Sequence, residues 1–430
     1  MNIWRWTDHF LGTLTRATWI ALRCGAELAV LGFWAISSRV GLRRQPLELV
    51  CATRLPCLLE RLGGAFPKVG QILSTRRDLL SPSICEGLAR LQDDTSPMPY
   101  KQVSLAIRTE AIEERIFCLS ADPTASATIA QVHRAVRIDD GRVIALKIRR
   151  PDVSKALEID CRIAAIVGHL LALLPHLRGV PIKEAIDEAS RVLMGQTNLR
   201  QEASNLQRFG QLFAKVPDVL FPKPHIDLSG DGLLVMDFME DLRKFDDSSL
   251  TDEEAKSALT TGVRALFQMI FIDGFLHCDL HPGNMLVDRH GRLVILDAGF
   301  VASIDGESRR SFAQFFLAIA MRDGAAAAKI VKQTARKLPS DLDTASFDRE
   351  ISELIVSAGG LTARHFQVAG FVAELFSIQR RHKIHGTSKF TMPILSLLVF
   401  EGVAKRRHPD LDFQKLSIPF VLAAMAPAHW

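Results

Sequence analysis

The stretch FLHCDLHPGNMLVDRHGRLVILDAGF, from Phe275 to Phe300, constrains the fold more than any other part of the chain. Two short apolar runs, Met285 to Val287 and Leu293 to Leu296, flank a turn at His290-Gly291, so the segment reads as strand, turn, strand. The second run delivers Asp297-Ala298-Gly299, placing a carboxylate at a strand end. Upstream, His277, Cys278, Asp279 and His281 crowd together and offer ligand types that suit zinc. Adjacent ligands chelate poorly, and no second Cys/His cluster lies nearby, so zinc is the weaker reading.

The stronger reading is phosphate chemistry. Asp279 and Asn284 have the spacing of a kinase catalytic loop, in which the Asp takes or orients the nucleophile's proton and the Asn holds Mg²⁺. Asp297 is then the carboxylate that binds a metal bridging two phosphates. Such a loop needs a cation for the phosphates. Lys147 in the strand VIALKI has the position and order of that lysine, and Glu202 in the helical stretch RQEASN is its candidate partner. His277 and His281 read as braces of the loop rather than bases.

With 48% apolar and 23% charged residues, the 430-residue chain is globular and long enough for two or three domains. A net charge of +5 without a dense Lys/Arg run argues against nucleic acid as a partner. Seven cysteines without a CxxC point to a reducing compartment and no disulfide framework. The N-terminus shows no secretory signal pattern, so a cytoplasmic protein is expected, peripheral at the inner face of a membrane. Cys24 to Ser38 is apolar, but about 15 residues at roughly 1.5 Å each fall short of a ~30 Å bilayer core. Two readings stay open for it. One is an interfacial helix flanked by Arg16, Arg39, Arg43 and Arg44, with Trp19, Phe33 and Trp34 on its apolar side; the other is an ordinary buried helix.

Along the chain, residues 1–110 read as a helical extension interrupted at Gly63-Gly64 and at Ser81 to Ser83. Residues 111–240 read as a small mixed lobe with a helical insert. It contains a hairpin from Thr128 to Ile148 turning at Asp139-Asp140-Gly141, helices from Asp152 to about Phe213, and short strands at His225 to Leu228 and Leu233 to Phe238. Residues 241–430 read as a mainly helical lobe that starts at Thr251.

Taken together, these motifs resemble the UbiB/AarF (ADCK) family of atypical, protein-kinase-like proteins across about residues 50 to 415. FPKVGQILSTRRDLL resembles the family's KxGQ helix, with Lys68, Gly70 and Gln71; PTASATIAQVHRA resembles its Ala-rich nucleotide loop; VIALKIRRPDV, EASN, HCDLHPGN and VFEGVAKRRHPDLDF resemble its further motifs. The resemblance implies an α+β, bilobal protein-kinase-like fold with a small N-lobe and a mainly helical C-lobe. It implies ATP or ADP with Mg²⁺ as cofactors, Lys147 paired with Glu202, metal at Asn284 and Asp297, and Asp279 in the catalytic-loop role. Ala125, Ser126, Ala127 and Thr128, with Met236 and Phe238, are the remaining nucleotide-site candidates. A Cβ on each loop residue restricts the close backbone approach to phosphate that glycine allows.

The family further implies a role beside isoprenoid quinone or other lipid biosynthesis at a membrane, with a lipid or quinone precursor and biosynthetic enzymes as partners. Two positions depart from its pattern. Gln196 and Asn198 replace an acidic pair before the EASN helix, and Ala298 replaces the usual aromatic after the metal Asp. The activity expected is that of an atypical kinase-like ATPase. The alternative is a nucleotide-gated binding module without phosphoryl transfer, and protein phosphorylation is the third reading.

Overall fold

A computed structural model describes residues 16–27, 29–30, 47–63, 65–74, 80–91, 97–172, 182–245, 247–358 and 367–426. The chain divides into two compact units, neither continuous in sequence: residues 1–99, 125–131 and 149–197 form one, and residues 100–124, 132–148 and 198–430 the other.

The first unit is mainly helical. Residues 16–27 form α1, followed by α2 (Leu47–Leu62), α3 (Phe66–Ser74), α4 (Pro82–Leu88), α6 (Val153–Ala172) and α7 (Ile182–Gly195). One core joins Ile20 of α1 to Leu59, Leu62, Phe66, Leu88 and Leu91; a second sets Ala65, just before α3, and Val69 of α3 against Leu157, Cys161, Ala189 and Leu193 of α6 and α7. Arg16 pairs with Asp160 at 3.0 Å, Trp19 packs beside Ile20, and Glu27 pairs with Arg54 at 2.7 Å. In α1 Ile20 is buried whereas Leu22 is 70% exposed, and of the apolar stretch from Cys24 to Ser38 residues 24–27 and 29–30 are described. Residues 31–46, with Phe33, Trp34, Arg39, Arg43 and Arg44, lie outside the described residues. Among the described residues no helix is long and apolar enough to cross a membrane.

The second unit holds Lys147, Glu202, Asp279, Asn284 and Asp297. Its antiparallel strands β1 (Ile116–Phe117), β3 (Ala130–Arg137), β4 (Val143–Arg149) and β6 (Leu233–Asp237) line up in the order β1-β3-β4-β6. The expected hairpin is present, and Gly141 at φ +68° makes its turn. Residues 226–228 form a 3₁₀ turn rather than the expected strand; a bridge between Pro224 and Met236 is the pairing found there. Helix α8 (Leu199–Leu212) follows α5 (Tyr100–Thr109) in this unit, and α9 (Asp252–Phe267) opens the helical half. Thr251 and Glu254 make a reciprocal capping box, as the sequence suggested. Beyond α9 a π-helical turn, Gln268–Asp273, ends at Gly274, whose φ of +62° only glycine adopts cheaply.

Two short pairs then define the site. Strand β7 (Phe275–His277) pairs with β10 (Val301–Ser303), and β8 (Met285–Val287) pairs with β9 (Leu293–Ile295), which also runs parallel to β5 (Val219–Leu220). The helices α10 (Gly306–Ala320), α11 (Gly324–Gln333), α12 (Thr344–Ala358), α13 (Val368–Arg381), α14 (Ser388–Arg407) and α15 (Phe413–Met425) complete the unit.

Candidate functional site

The strand registers put the two loops side by side. His277 at the end of β7 faces Val301 at the start of β10, while Met285 at the start of β8 faces Ile295 at the end of β9. The Cys278–Asn284 and Leu296–Phe300 segments therefore leave the strands together, joined by Cys278 N–H to Phe300 O (3.0 Å) and Leu296 N–H to Asn284 O (3.0 Å). His277, fully buried, links them. Its Nδ1 accepts from Asp279 N–H at 3.1 Å, so its Nε2 carries the proton and donates to the Asp297 carbonyl at 2.5 Å. Burial lowers its pKa, which keeps the ring neutral and this hydrogen-bond pattern intact.

Helix α8 supplies the inner wall. Leu199, Glu202, Ala203, Leu206 and Phe209 recur at helical spacing and are buried, so the same stripe that packs the helix turns Glu202 inward. Lys147 on β4 meets it: Nζ lies 2.7 and 2.9 Å from the two Glu202 oxygens and 2.5 Å from Asp297 Oδ2. Asp297 Oδ1 accepts from Gly299 N–H at 2.8 Å. One cation thus stands between two carboxylates.

Their titration follows from solvent access. Burial and the charge of Asp297 push the Glu202 carboxyl up to about 7, against the pull of Lys147. Burial also opposes ionisation of Asp297, but Lys147 overrides it and holds Asp297 well below the usual carboxylate range. The Asp297 side chain is 30% exposed and that of Glu202 3%, so the better-hydrated carboxylate keeps the charge. Burial disfavours the Lys147 ammonium, yet Asp297 and Glu202 together raise its pKa.

Asn284 Nδ2 donates to the Asp279 carbonyl at 3.0 Å, which leaves its side-chain oxygen as an acceptor. Asn284 and Asp297 are oxygen donors, a set that suits a hard cation such as Mg²⁺. The zinc reading does not survive the geometry. Both ring nitrogens of His277 are engaged with backbone, Cys278 Sγ donates to Leu276 O, and His281 Nδ1 accepts from Gly283 N–H. Among the described residues no cluster of three or more His, Cys, Asp and Glu could hold a metal.

Met236 pairs with Ala145 and Leu234 with Lys147, so Met236 shares the sheet face of Lys147; Phe238 lies just past the strand, under the Arg134 guanidinium. The other candidates belong to the first unit, apart from Asn198. There, Ala125–Ser126 form β2, and the Ala127 N–H is bonded to Ala130 O at 2.9 Å. Arg150 clamps this loop, donating at 2.8 Å to Ala127 O and at 2.8 Å to Ser126 Oγ, and Thr128 follows in the same turn. Arg149 donates to Thr197 O at 2.8 Å, beside Gln196. Asn198 caps α8 by accepting from Gln201 N–H, a role an amide fills as well as a carboxylate.

In α3, Gln71 donates to Leu91 O at 3.2 Å, and a Cβ at Gly70 would strike the Leu91 and Leu59 side chains. The Lys68-Gly70-Gln71 helix is therefore a packing element, not only a polar face. Sequence reasoning gave no role to Arg149, Arg150 or Asn205. Asn205 is buried, donates to Ala298 O at 2.9 Å and so fixes the loop that carries Asp297; its i+3 spacing from Glu202 on the inner face was the available signal.

A family model described as the ABC1 atypical kinase-like domain matches residues 90–331, more than half of the chain. The chain is 30% identical over 411 residues to the probable protein kinase UbiB of Pectobacterium carotovorum, covering 93% of this chain and 73% of that protein. Probable UbiB kinases of Tolumonas auensis (30% over 400 residues, 90% and 72% covered) and Cronobacter sakazakii (29% over 390 residues, 88% and 71%) are similar. In three dimensions it resembles Rv3197 of Mycobacterium tuberculosis, solved as a complex with erythromycin, with a TM-score of 0.58, 18% identity, and 94% and 98% of the two chains covered. The α+β kinase-like fold expected from the sequence is the one found, and the chain belongs to the ABC1 atypical kinase-like family.

Proposed function

We propose that the protein is a UbiB-type atypical kinase-like ATPase that binds Mg-ATP or Mg-ADP and assists isoprenoid quinone or related lipid biosynthesis at a membrane surface. The observation that carries the nucleotide reading is Lys147 Nζ held between Glu202 and Asp297. On this reading Lys147 neutralises phosphate charge, Glu202 keeps it in place, and Met236 and Phe238 line the base. Asn284 and Asp297 would hold Mg²⁺, which supplies charge neutralisation of the phosphates. Asp279 orients or accepts the proton of an attacking hydroxyl or water, its loop kept in register by His277 and Asn284. The UbiB relatives support the pathway; partners of the lipid or quinone-precursor kind, biosynthetic enzymes and a membrane surface belong to this proposal.

A second reading, a nucleotide-gated module that leaves the γ-phosphate intact, is favoured by one observation. The Ala127 amide is already bonded to Ala130 and the loop is clamped by Arg150, so this loop has fewer N–H groups to offer phosphate than a glycine-rich one. Following γ-labelled ATP with the purified protein, alone and with liposomes carrying quinone precursors, separates the readings. Release of labelled phosphate supports the ATPase. Bound label without release supports the module, and absence of Mg-dependent binding overturns both.

A further inference from the structure

We propose that the helical part of the second unit contains a binding site for a single-chain amphiphile, with its apolar chain beneath α15 and an uncharged oxygen head at the start of that helix. The site is a cavity of about 390 Å³ between α10, α13, α14 and α15. Its size lies within the roughly 300–1,000 Å³ range of small-molecule pockets. Phe267, Phe315, Phe371, Leu397 and Val421 are among the side chains that make the wall apolar. Core packing closes voids of this size when nothing is to fill them, because unpartnered walls forfeit dispersion contacts.

The chemistry of the occupant follows from the polar end. Asp412, Gln414 and Lys415, at the first turn of α15, are the charged and amide groups lining the cavity. Gln414 Nε2 is buried and has no hydrogen-bond partner, an arrangement that native proteins rarely leave unresolved. It calls for an oxygen from a ligand. Asp412 caps the helix by accepting from the Lys415 backbone N–H, so its carboxylate is already engaged with the helix end. One carboxylate and one ammonium line this end, so the wall carries no net charge, which favours a neutral hydroxyl or carbonyl head over a carboxylate.

The entrance is equally apolar. Ile418, Leu422 and Met425 recur along one stripe of α15 and are 52%, 60% and 38% exposed, and the first two also line the cavity. A chain leaving an apolar phase would meet this stripe before the cavity.

The test uses full-length protein and N-phenyl-1-naphthylamine, a neutral apolar fluorophore, displaced by 1-dodecanol, dodecanoic acid or dodecane. Saturable binding is expected, with the alcohol displacing the probe at about tenfold lower concentration than the acid or the alkane. Ala320→Trp, at the exposed rim, should weaken probe binding at least tenfold, and Gln414→Leu should erase the advantage of the alcohol over dodecane. Neither should alter Mg-nucleotide affinity, so failure here is distinct from failure of the nucleotide reading. In the wild-type chain, a diazirine-bearing long-chain alcohol should crosslink to peptides from α10, α13 or α15. Non-saturable probe uptake, equal binding by Ala320→Trp, or crosslinks confined to other peptides would overturn the proposal.

Discussion

Replacing Lys147 with Met keeps the stem of the side chain and removes the ammonium that holds Glu202 and Asp297 at 2.7 and 2.5 Å. Removing one partner of a buried pair costs about 3–5 kcal/mol, because the other charge remains where water cannot reach it. Glu202, 3% exposed, is that charge. It can escape by taking up a proton, a route already open because its carboxyl is pushed up to about 7. The lower end of the range is therefore expected near pH 8, about 3 kcal/mol. At about 2 °C per kcal/mol for a large domain, the melting temperature falls by roughly 6 °C. The pH sign follows from the raised carboxyl. Its pKa lies above the ordinary value of 4.5, so the folded chain keeps a proton there that the unfolded chain releases as pH rises from 4.5 to about 7. Below about 7 the Glu202 carboxyl of both folded proteins takes up its proton, and the deficit of the variant should shrink. Calorimetry near pH 8, 7 and 5.5 reads this directly. Adding Glu202→Gln should recover most of the loss at pH 8. A variant that melts within about 1 °C of wild type at pH 8, or whose deficit is the same at every pH, would refute the argument that Lys147 is the counter-charge of a buried carboxylate.

Asp297→Asn should largely abolish Mg-dependent nucleotide binding by removing an anionic ligand, and a calorimetric titration with and without Mg²⁺ measures this. Asp279→Asn should leave binding in place and slow any turnover by ~10² to 10⁴, read as single-turnover phosphate release; equal rates would reduce Asp279 to a structural residue. Asn205→Ala leaves the Ala298 carbonyl without its donor and should cost about 1–3 kcal/mol in denaturant unfolding, with weaker nucleotide binding because the Asp297 loop loses its anchor. Gly70→Ala forces Leu59 and Leu91 aside and should cost about 1–3 kcal/mol, seen as faster hydrogen exchange in α3; unchanged exchange would contradict the close helix approach.

What could be read from the sequence was set by local signals. Asp139-Asp140-Gly141 makes its own turn, Thr251 and Glu254 cap each other within one helical turn, and the Met285 and Leu293 runs are separated by a short loop, so each declares itself without tertiary help. The pair β7 with β10 was not legible. Each strand is three residues long, β7 is wholly buried, and the partners lie more than twenty residues apart, so neither alternation nor a hairpin turn marks them. Residues 226–228 misled because a β-favouring isoleucine sits where the chain must turn to bring His225 beside Asp237. Arg149 and Arg150 carry no local signal, because both donate to backbone oxygens that only the fold brings near. The Lys147–Glu202 pair was accessible through motif order, whereas Asn205 needed the inner face of α8 to be known.

The unequal exposure of Glu202 and Asp297 bears on how the proposed site would work. Asp297 has one oxygen on Lys147 and the other on the Gly299 amide, so a cation approaching it meets the Lys147 ammonium. Repulsion between that ammonium and a cation therefore favours Lys147 yielding part of its hold when Asp297 coordinates. If both carboxylates were equally open, the ammonium would have no reason to stay; Glu202, buried and doubly bonded to it, supplies that reason. Lys147 can then turn from Asp297 toward incoming phosphate oxygens while remaining tethered, and Asp297, the carboxylate with access to solvent, is the one set free to bind a cation. The net charge of the trio with both carboxylates ionised is −1, which attracts a divalent cation and repels a bare nucleotide. On these grounds nucleotide should bind as its Mg²⁺ complex, because only the complex brings a partner for Asp297 at the same moment that it offers phosphate to Lys147.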